Sequence, residues 1–593
     1  MIIKLLREIP VVLSFLILST ISLYSQTQTF TIIQTTDEHG KIFPYNFKED
    51  NDSEGSLAQL YTFVNEKRGN ENQEVILLSG GDILQGTPAV YYYNFEDTSG
   101  IHLYADVMNY LGYDAGAVGN HDIETGHSVY DKLTKQLNFP WLAANAVNKG
   151  TNKPYFQPYA VIKRGNFKIA ILGLITPAIP KWLPEKLWEG IEFEDMIESA
   201  RKWVKIILEK ESPDLLIGLF HAGVDYTYGN QNADTHKNEN ASQLVAERVR
   251  GFDIVFVGHD HRGWNKPIKN HWGEDVLILG ASSYARDAAI GKVDFIYNSE
   301  IERWEKEISG STTDLRKFEP DKGFINKFHQ NFITIRNYVS KPIGKFLKTI
   351  STREALFGTS SFVDLIHQIQ LDLSGADISF AATLSFDSKI DSGKVFIRDM
   401  FKLYKYENFL YTISMTGKEI ENYLEYSYSI WFNTMQNEED HLLRFETDSL
   451  GNLIFSKRNN SPILYSSYYN FDSACGLNYV IDITKPNGEK VSIESLSNGN
   501  KFCSDSIYTV AVNSYRGNGG GGHLTDGANI PKDSLSKRII TSTEKDLRYY
   551  MMRWIEQKEE VTPKLFGNWK IIPEDLWFKG MKRDYKILYG FNN

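Results

Sequence analysis

Five short polar clusters, each at the end of an apolar run, carry the residue types that hold metals and move protons. In chain order they are Asp37-Glu38-His39-Gly40, Gly80-Gly81-Asp82, Gly119-Asn120-His121-Asp122-Ile123-Glu124, His221-Ala222-Gly223 and Gly258-His259-Asp260-His261. The third is the centre of the set. An amide, an imidazole and two carboxylates on one tight turn can serve a metal, a proton transfer and the orientation of the proton donor together. Singly, each cluster has a plainer reading: a polar turn for G-N-H-D, a helix cap for G-G-D, a structural imidazole for a lone His after an apolar run. Alternate side chains of an extended segment share a side, so Asp37 and His39 are placed to bite one ion, and His259 and His261 repeat the spacing. The glycines before Asp82 let the backbone turn where that carboxylate is presented, which makes it the candidate for a ligand shared by two ions. Imidazole, carboxylate and amide oxygen suit borderline divalent metals such as zinc or manganese.

The elements that must position these clusters are legible as apolar runs. Residues 30–36, 74–79, 167–174, 214–220 and 253–257 read as strands, and residues 193–210 as a helix. Strands interleaved with helices predict an α/β layered fold, with the site on loops at strand ends. Residues 228–240, rich in Asn, Gly and charge, read as a surface loop.

The chain of 593 residues is too long for one core, and its 42% hydrophobic content can fill two. A balance of 64 Lys+Arg against 75 Asp+Glu, net −11, excludes a protein that grips polymeric nucleic acid by its phosphates. Small anionic ligands stay open where a metal supplies the positive charge. Lys4 and Arg7 precede an apolar stretch over residues 10–24, with Ser19, Ser22 and Ser25 near a cut before Gln26 or Thr27. That is the pattern of an export signal; the run is short of the ~20 residues of a spanning helix and has no basic stop-transfer flank. The mature protein is expected to be periplasmic or secreted, with no stable membrane insertion. Cys475 and Cys503 are the only cysteines, and the sequence leaves open whether they pair.

Taken together and in this order, the five clusters resemble the calcineurin-like metallophosphoesterase domain of the 5'-nucleotidase family. The resemblance implies an α/β (α+β) fold, a four-layer β-sandwich flanked by helices and joined by a helical linker to a smaller α+β substrate-binding domain. It also implies two divalent ions, zinc, manganese or similar: one held by Asp37, His39, Asp82 and His261, the other by Asp82, Asn120, His221 and His259. His121 is then the proton donor or charge stabiliser at the leaving oxygen, and a carboxylate holds its ring. Many members of the family carry Asp three residues after that His; here the position is Glu124.

The organisation read from this is a signal peptide over 1–26, a metallophosphoesterase domain over 27–317, a linker over 318–345 and a substrate domain over 346–593. From residue 350 the pattern changes to short strands and one clear helix, opened by Thr416-Gly417-Lys418, with a strand over 508–515 before a glycine run. Val395-Phe396-Ile397-Arg398-Asp399, Leu403-Tyr404-Lys405-Tyr406-Glu407-Asn408 and Tyr469-Asn470-Phe471-Asp472 are similar to segments of the 2',3'-cyclic-nucleotide 2'-phosphodiesterase/3'-nucleotidase branch. By that resemblance Tyr406 and Tyr515 sandwich the nucleobase, and Gly519 and Gly520 approach ribose or phosphate. The 5'-nucleotidase phosphate segment N-G-G-x-R is replaced by Ala381-Ala382-Thr383-Leu384-Ser385-Phe386. The expected substrates are therefore small nucleotides, 2',3'-cyclic and 3' before 5'; the rival from another class is a non-catalytic nucleotide-binding protein, and the oligomeric state is not legible.

Overall fold

The computed structural model describes residues 26–456 and 461–590, so the expected export signal lies outside the described residues apart from its last position. The first half is built on two six-stranded sheets. In one, Thr27–Thr35 lies between Gln73–Ser79, parallel to it, and Asp287–Asn298, antiparallel to it. In the other, Leu215–His221 lies between Phe167–Ile175 and Ile254–Val257, parallel to both. These strands read as unbroken apolar runs because both their faces are covered.

The period of two sends alternate residues to different layers. Phe30, Ile32, Ile76 and Leu78 face Ile169, Ile171, Ile217 and Leu219 between the sheets. Ile33 and Leu77 turn outward against the helices Leu57–Arg68 and Leu103–Leu111. On the far side Leu172, Leu216 and Phe220 pack on Met196–Glu211, whose N-terminus is capped by the Asp195 carboxylate. The result is helix, sheet, sheet, helix. The parallel strands of both sheets end at one edge, and that edge carries all five polar clusters.

Two helices, Lys322–Lys327 and His329–Val339, join the halves. The second half centres on a five-stranded sheet in the order Asp472–Cys475, Ile378–Ala382, Ile507–Asn513, Leu410–Thr416, Ile539–Ser542. The anticipated helix is present as Gly417–Trp431, opened by a capping box: Thr416 Oγ1 accepts the Glu419 N–H at 3.2 Å and Glu419 Oε2 accepts the Thr416 N–H at 2.8 Å. It is not alone. Ser361–Ser374, Leu547–Lys558 and Glu574–Tyr589 are also helices. Phe362, Leu365, Ile366 and Ile369 supply the helical spacing and the buried face of the first. The strand expected over 508–515 stops at Asn513, whose side chain accepts the Arg516 N–H and starts the short helix Ser514–Gly517. Both cysteines are free, Cys475 buried and Cys503 exposed. No helix among the described residues is long and apolar enough to cross a membrane.

Buried His367 sits under this sheet between the Ser379 and Ser473 hydroxyls, and burial holds its imidazole down at about 3. An unfolded chain binds a proton there below about pH 6.5, and the folded chain does not. The stability that His367 contributes relative to His367→Gln should therefore shrink as pH falls from about 6.5 to about 4.5, by about 1.4 kcal/mol per pH unit. Denaturant titrations of both proteins across that window measure it; a constant difference rules it out.

Candidate active site

Asp37 and His39 reach one place, but not by strand alternation. Their strand ends at Thr35, and both residues take left-handed backbone, with φ of 52° and 49°. Asp82, His259 and His261 do the same at 57°, 79° and 58°, so five of the seven candidate ligands sit where L side chains are rarely found. Such positions cost about 1–3 kcal/mol each and persist where the surroundings over-determine them. Gly119 shows how tight those surroundings are: a Cβ there would lie 2.1 Å from Asp82 Oδ1.

The side chains converge in two groups. The ligating atoms of Asp37, His39 and His261 lie within 4.8 Å of one another, as do those of Asp82, His221 and His259. Asn120 joins the second group, its Oδ1 2.9 Å from His259 Nδ1 and 3.2 Å from His221 Nε2. Asp82 belongs to the second group by distance, and its charge also acts on His39.

The hydrogen bonds on the outer side of the rings set the tautomers. His39 Nδ1–H donates to the Gln85 carbonyl at 2.9 Å, His221 Nδ1–H to the Gly80 carbonyl at 2.7 Å, and His259 Nε2–H to Glu239 Oε1 at 3.3 Å. Each ring then turns a bare nitrogen inward. His221 Nε2 meets Asp82 Oδ2 at 3.1 Å and Asn120 Oδ1 at 3.2 Å, and His39 Nε2 meets His261 Nε2 at 3.0 Å. Acceptors brought this close need a cation among them. The donor set therefore fits two divalent ions, the first with Asp37, His39 and His261, the second with Asp82, Asn120, His221 and His259.

His121 stands on the short helix Asn120–Ile123 beside both groups, and its Nδ1 makes a short contact with Glu124 Oε2 one turn on. Burial pulls its imidazole down, but the Asp82 and Glu124 carboxylates more than offset this and hold it up at about 9. With Nδ1 on Glu124, Nε2 is the nitrogen left for chemistry. The longer arm of Glu, in the place of the family's Asp, spans the distance. Asp122, the other acid of this turn, is no ligand. Its carboxylate accepts the N–H groups of Gly119 and Asp82 on one oxygen, and of Ile83 and Leu84 on the other, at 2.8–3.1 Å. It fixes the loop that carries Asp82.

A cavity of about 340 Å³ opens over both groups. His39, Asp82, Asn120, His121, His259 and His261 form one wall, and Lys405, Tyr406 and Tyr469 of the second half form the wall facing them. The Tyr406 and Tyr469 rings meet edge to face at 6.4 Å. The halves are held in this relation by Tyr91 Oη donating to Asp546 at 3.1 Å, Asn518 Nδ2 donating to the Trp182 carbonyl at 3.3 Å, and Lys402 pairing with Glu49 at 2.8 Å.

A description of the calcineurin-like phosphoesterases matches residues 30–263, and one of the 5'-nucleotidase C-terminal domain matches residues 340–526. The chain is a calcineurin-like phosphoesterase carrying a 5'-nucleotidase C-terminal domain. Among relatives, the trifunctional nucleotide phosphoesterase YfkN of Bacillus subtilis is 26% identical over 95% of this chain, which spans only 40% of YfkN's length. A 2',3'-cyclic-nucleotide 2'-phosphodiesterase/3'-nucleotidase of Salmonella typhimurium is 25% identical over 93% of this chain and 90% of its own. Among solved structures, a putative 5'-nucleotidase of Staphylococcus aureus superimposes with a TM-score of 0.73 at 18% identity, over 92% of this chain and all of that one, a likeness of fold.

The phosphoesterase therefore brings together all seven expected ligands, His121, Glu124 and Tyr406, but not Tyr515, Gly519 or Gly520. The early end of the strand at Asn513 and the buried Arg516, bound to Asp472 through two bonds of 2.8 and 3.0 Å, turn Tyr515 back over its own glycine run. A Cβ on Gly520 would lie 2.5 Å from the Tyr515 ring. The run makes room for Tyr515, and Tyr469 takes its place opposite Tyr406. Residues 228–240 are also more than surface: Tyr228 and Glu239 line the cavity, and Asn238 and Asn240 are buried. Tyr284, Lys405 and Arg262 complete its lining and carried no sequence signal of their own; Tyr469 did, through Tyr-Asn-Phe-Asp.

Proposed function

We propose that this phosphoesterase is an exported nucleotidase that opens 2',3'-cyclic nucleotides to 3'-nucleotides and then releases the 3'-phosphate. The observation that carries the reading is the single cavity in which two ion-holding groups and the His121–Glu124 pair face Tyr406 and Tyr469 from the other half. The names of relatives such as the Salmonella protein support the choice of nucleotide. Export is the expectation from Lys4, Arg7 and the apolar stretch behind them.

When bound, the two ions neutralise the phosphate oxygens and activate water for in-line attack at phosphorus. The chain's own residues do the rest. Tyr406 and Tyr469 offer perpendicular ring faces, and stacking on such a face is worth about 1–3 kcal/mol for any base, so several nucleosides fit one site. His121, its Nδ1 held by Glu124, delivers a proton from Nε2 to the departing ribose oxygen, first the 2'-oxygen of the cyclic ester and then the 3'-oxygen of the monoester. Tyr284 and the tyrosine pair shield that proton from bulk water.

The test compares kcat/KM for 2',3'-cyclic AMP, 3'-AMP and 5'-AMP on protein beginning at Thr27 and loaded with manganese or zinc. The cyclic and 3' substrates should lead. A lead for 5'-AMP makes the protein a 5'-nucleotidase on the same metal groups and sinks the branch assignment.

A further inference from the structure

A second cavity, about 310 Å³, adjoins the first. The Tyr284 ring lines both, and the step from His39 to Gly40 passes from one to the other. Lys41, Lys48 and Arg286 stand on its wall, and Lys405 stands on the neighbouring wall of the first cavity. In a chain of net charge −11, none of these four cations is in an ion pair among the described residues. Lys41 spends its donors on Ser53 Oγ and the Tyr45 carbonyl, and Arg286 on the carbonyl and hydroxyl of Ser283. Lys48 and Lys405 remain, one from each half, both partly buried.

Their placement is unfavourable as it stands. Burial, then the charges of Lys405 and Arg548, push the Lys48 ammonium down to about 8. Arg548 is already committed to Glu407 at 2.8 Å, so it offers no relief. The one carboxylate on this wall, Glu54, is paired with none of the four. Two like charges brought together across a domain boundary, beside a site that holds phosphate, call for an anion between them.

We infer that Lys48 and Lys405 grip a second phosphoryl group of the substrate, so that the preferred substrates are nucleotides with two phosphoryl groups, one at the ion-holding groups and one at this lysine pair. The inference rests on the nucleotidase reading above and adds to it what the rest of the substrate looks like. It also accounts for a phosphoesterase in which Ala381-Ala382-Thr383 stands where related enzymes carry a phosphate-binding arginine segment: the positive charge has moved to the boundary between the halves. Ammonium groups suit a monoester phosphate as mobile point charges that need no planar match.

The experiment uses manganese-loaded protein from Thr27 onward and three substrates: 3'-AMP, adenosine 3',5'-bisphosphate, whose second phosphate lies across the ribose, and ADP, whose second phosphate lies in line. At least one of the doubly phosphorylated substrates should show a KM lower than that of 3'-AMP by at least about tenfold. In Lys48→Gln and in Lys405→Gln that ratio should collapse toward parity, the change falling on KM rather than kcat. Which of the two nucleotides gains identifies the source of the second phosphate. Parity in the unaltered protein for both, or a preference that survives both substitutions, overturns the inference and leaves the nucleotidase reading intact. Calorimetry on EDTA-treated protein, comparing adenosine 3',5'-bisphosphate with adenosine, judges the lysine pair separately. Tighter binding of the bisphosphate that Lys48→Gln abolishes is the expected result even if no nucleotide is turned over, an outcome that would instead count against the nucleotidase reading; equal binding of the two ligands overturns the pair.

Discussion

Asp82→Asn is expected to lower kcat/KM for every nucleotide substrate by at least about 1000-fold, the upper range for removing one preorganised electrostatic contact in an active site. Asp82 is the residue on which the most bonds converge: one oxygen accepts the His121 N–H at 2.8 Å, the other lies 3.1 Å from His221 Nε2, and its own N–H is held by Asp122. Asparagine keeps the shape and the N–H contact and removes the charge. The second ion-holding group then consists of imidazoles and an amide with no carboxylate, a poor match for a hard divalent ion. Bound metal, measured by elemental analysis after dialysis, should fall from two ions per chain to one or none. A variant that keeps both ions and its activity would refute the assignment. Unaltered protein that binds no stoichiometric metal after loading would return the chain to the class of non-catalytic nucleotide-binding proteins.

His121→Ala should leave both ions in place and lower kcat about 100- to 10 000-fold on nucleotides, the range for loss of a positioned general acid. The contrast between substrates is what identifies the role. A ribose oxygen leaves badly without a proton, whereas p-nitrophenolate leaves well without one. The loss on p-nitrophenyl phosphate should therefore be far smaller than the loss on 3'-AMP. Equal losses on both would mean that His121 stabilises charge at phosphorus and donates no proton. Glu124→Gln should give a smaller fall in the same direction, because the ring keeps a hydrogen-bond partner at Nδ1 and loses the charge that favours its protonated form.

The ligand set was legible from residue types and order, because each ligand stands directly after an apolar strand whose period is easy to read. The reason first given for Asp37 and His39 was not right. Alternation along a strand would have placed them side by side, but the strand has already ended, and left-handed backbone does the placing. Sequence pattern carries no record of φ at an Asp or a His, so this could not be read. Tyr515 was misplaced for a related reason. The apolar alternation over 508–512 runs without a break into Asn513-Ser514-Tyr515, and only the bond from the Arg516 N–H to Asn513, together with the burial of Arg516 on Asp472, ends the strand early. Tyr284 and Lys405 lie far apart in the chain and meet only through the packing of the two halves. No local window contains them both.

The five left-handed ligands have a consequence for how this protein can change. At each of them glycine would relax the backbone, at a gain of about 1–2 kcal/mol per position. The mirror image of that gain is what the site holds in reserve when it carries Asp or His. A lineage or a laboratory library selected for sturdiness alone would drift toward glycine at Asp37, His39, Asp82, His259 and His261, and would become easier to fold as it went silent. Persistence of all five side chains in one chain is thus a sign of continuing use, written in the main chain and not in the chemistry of the ligands themselves.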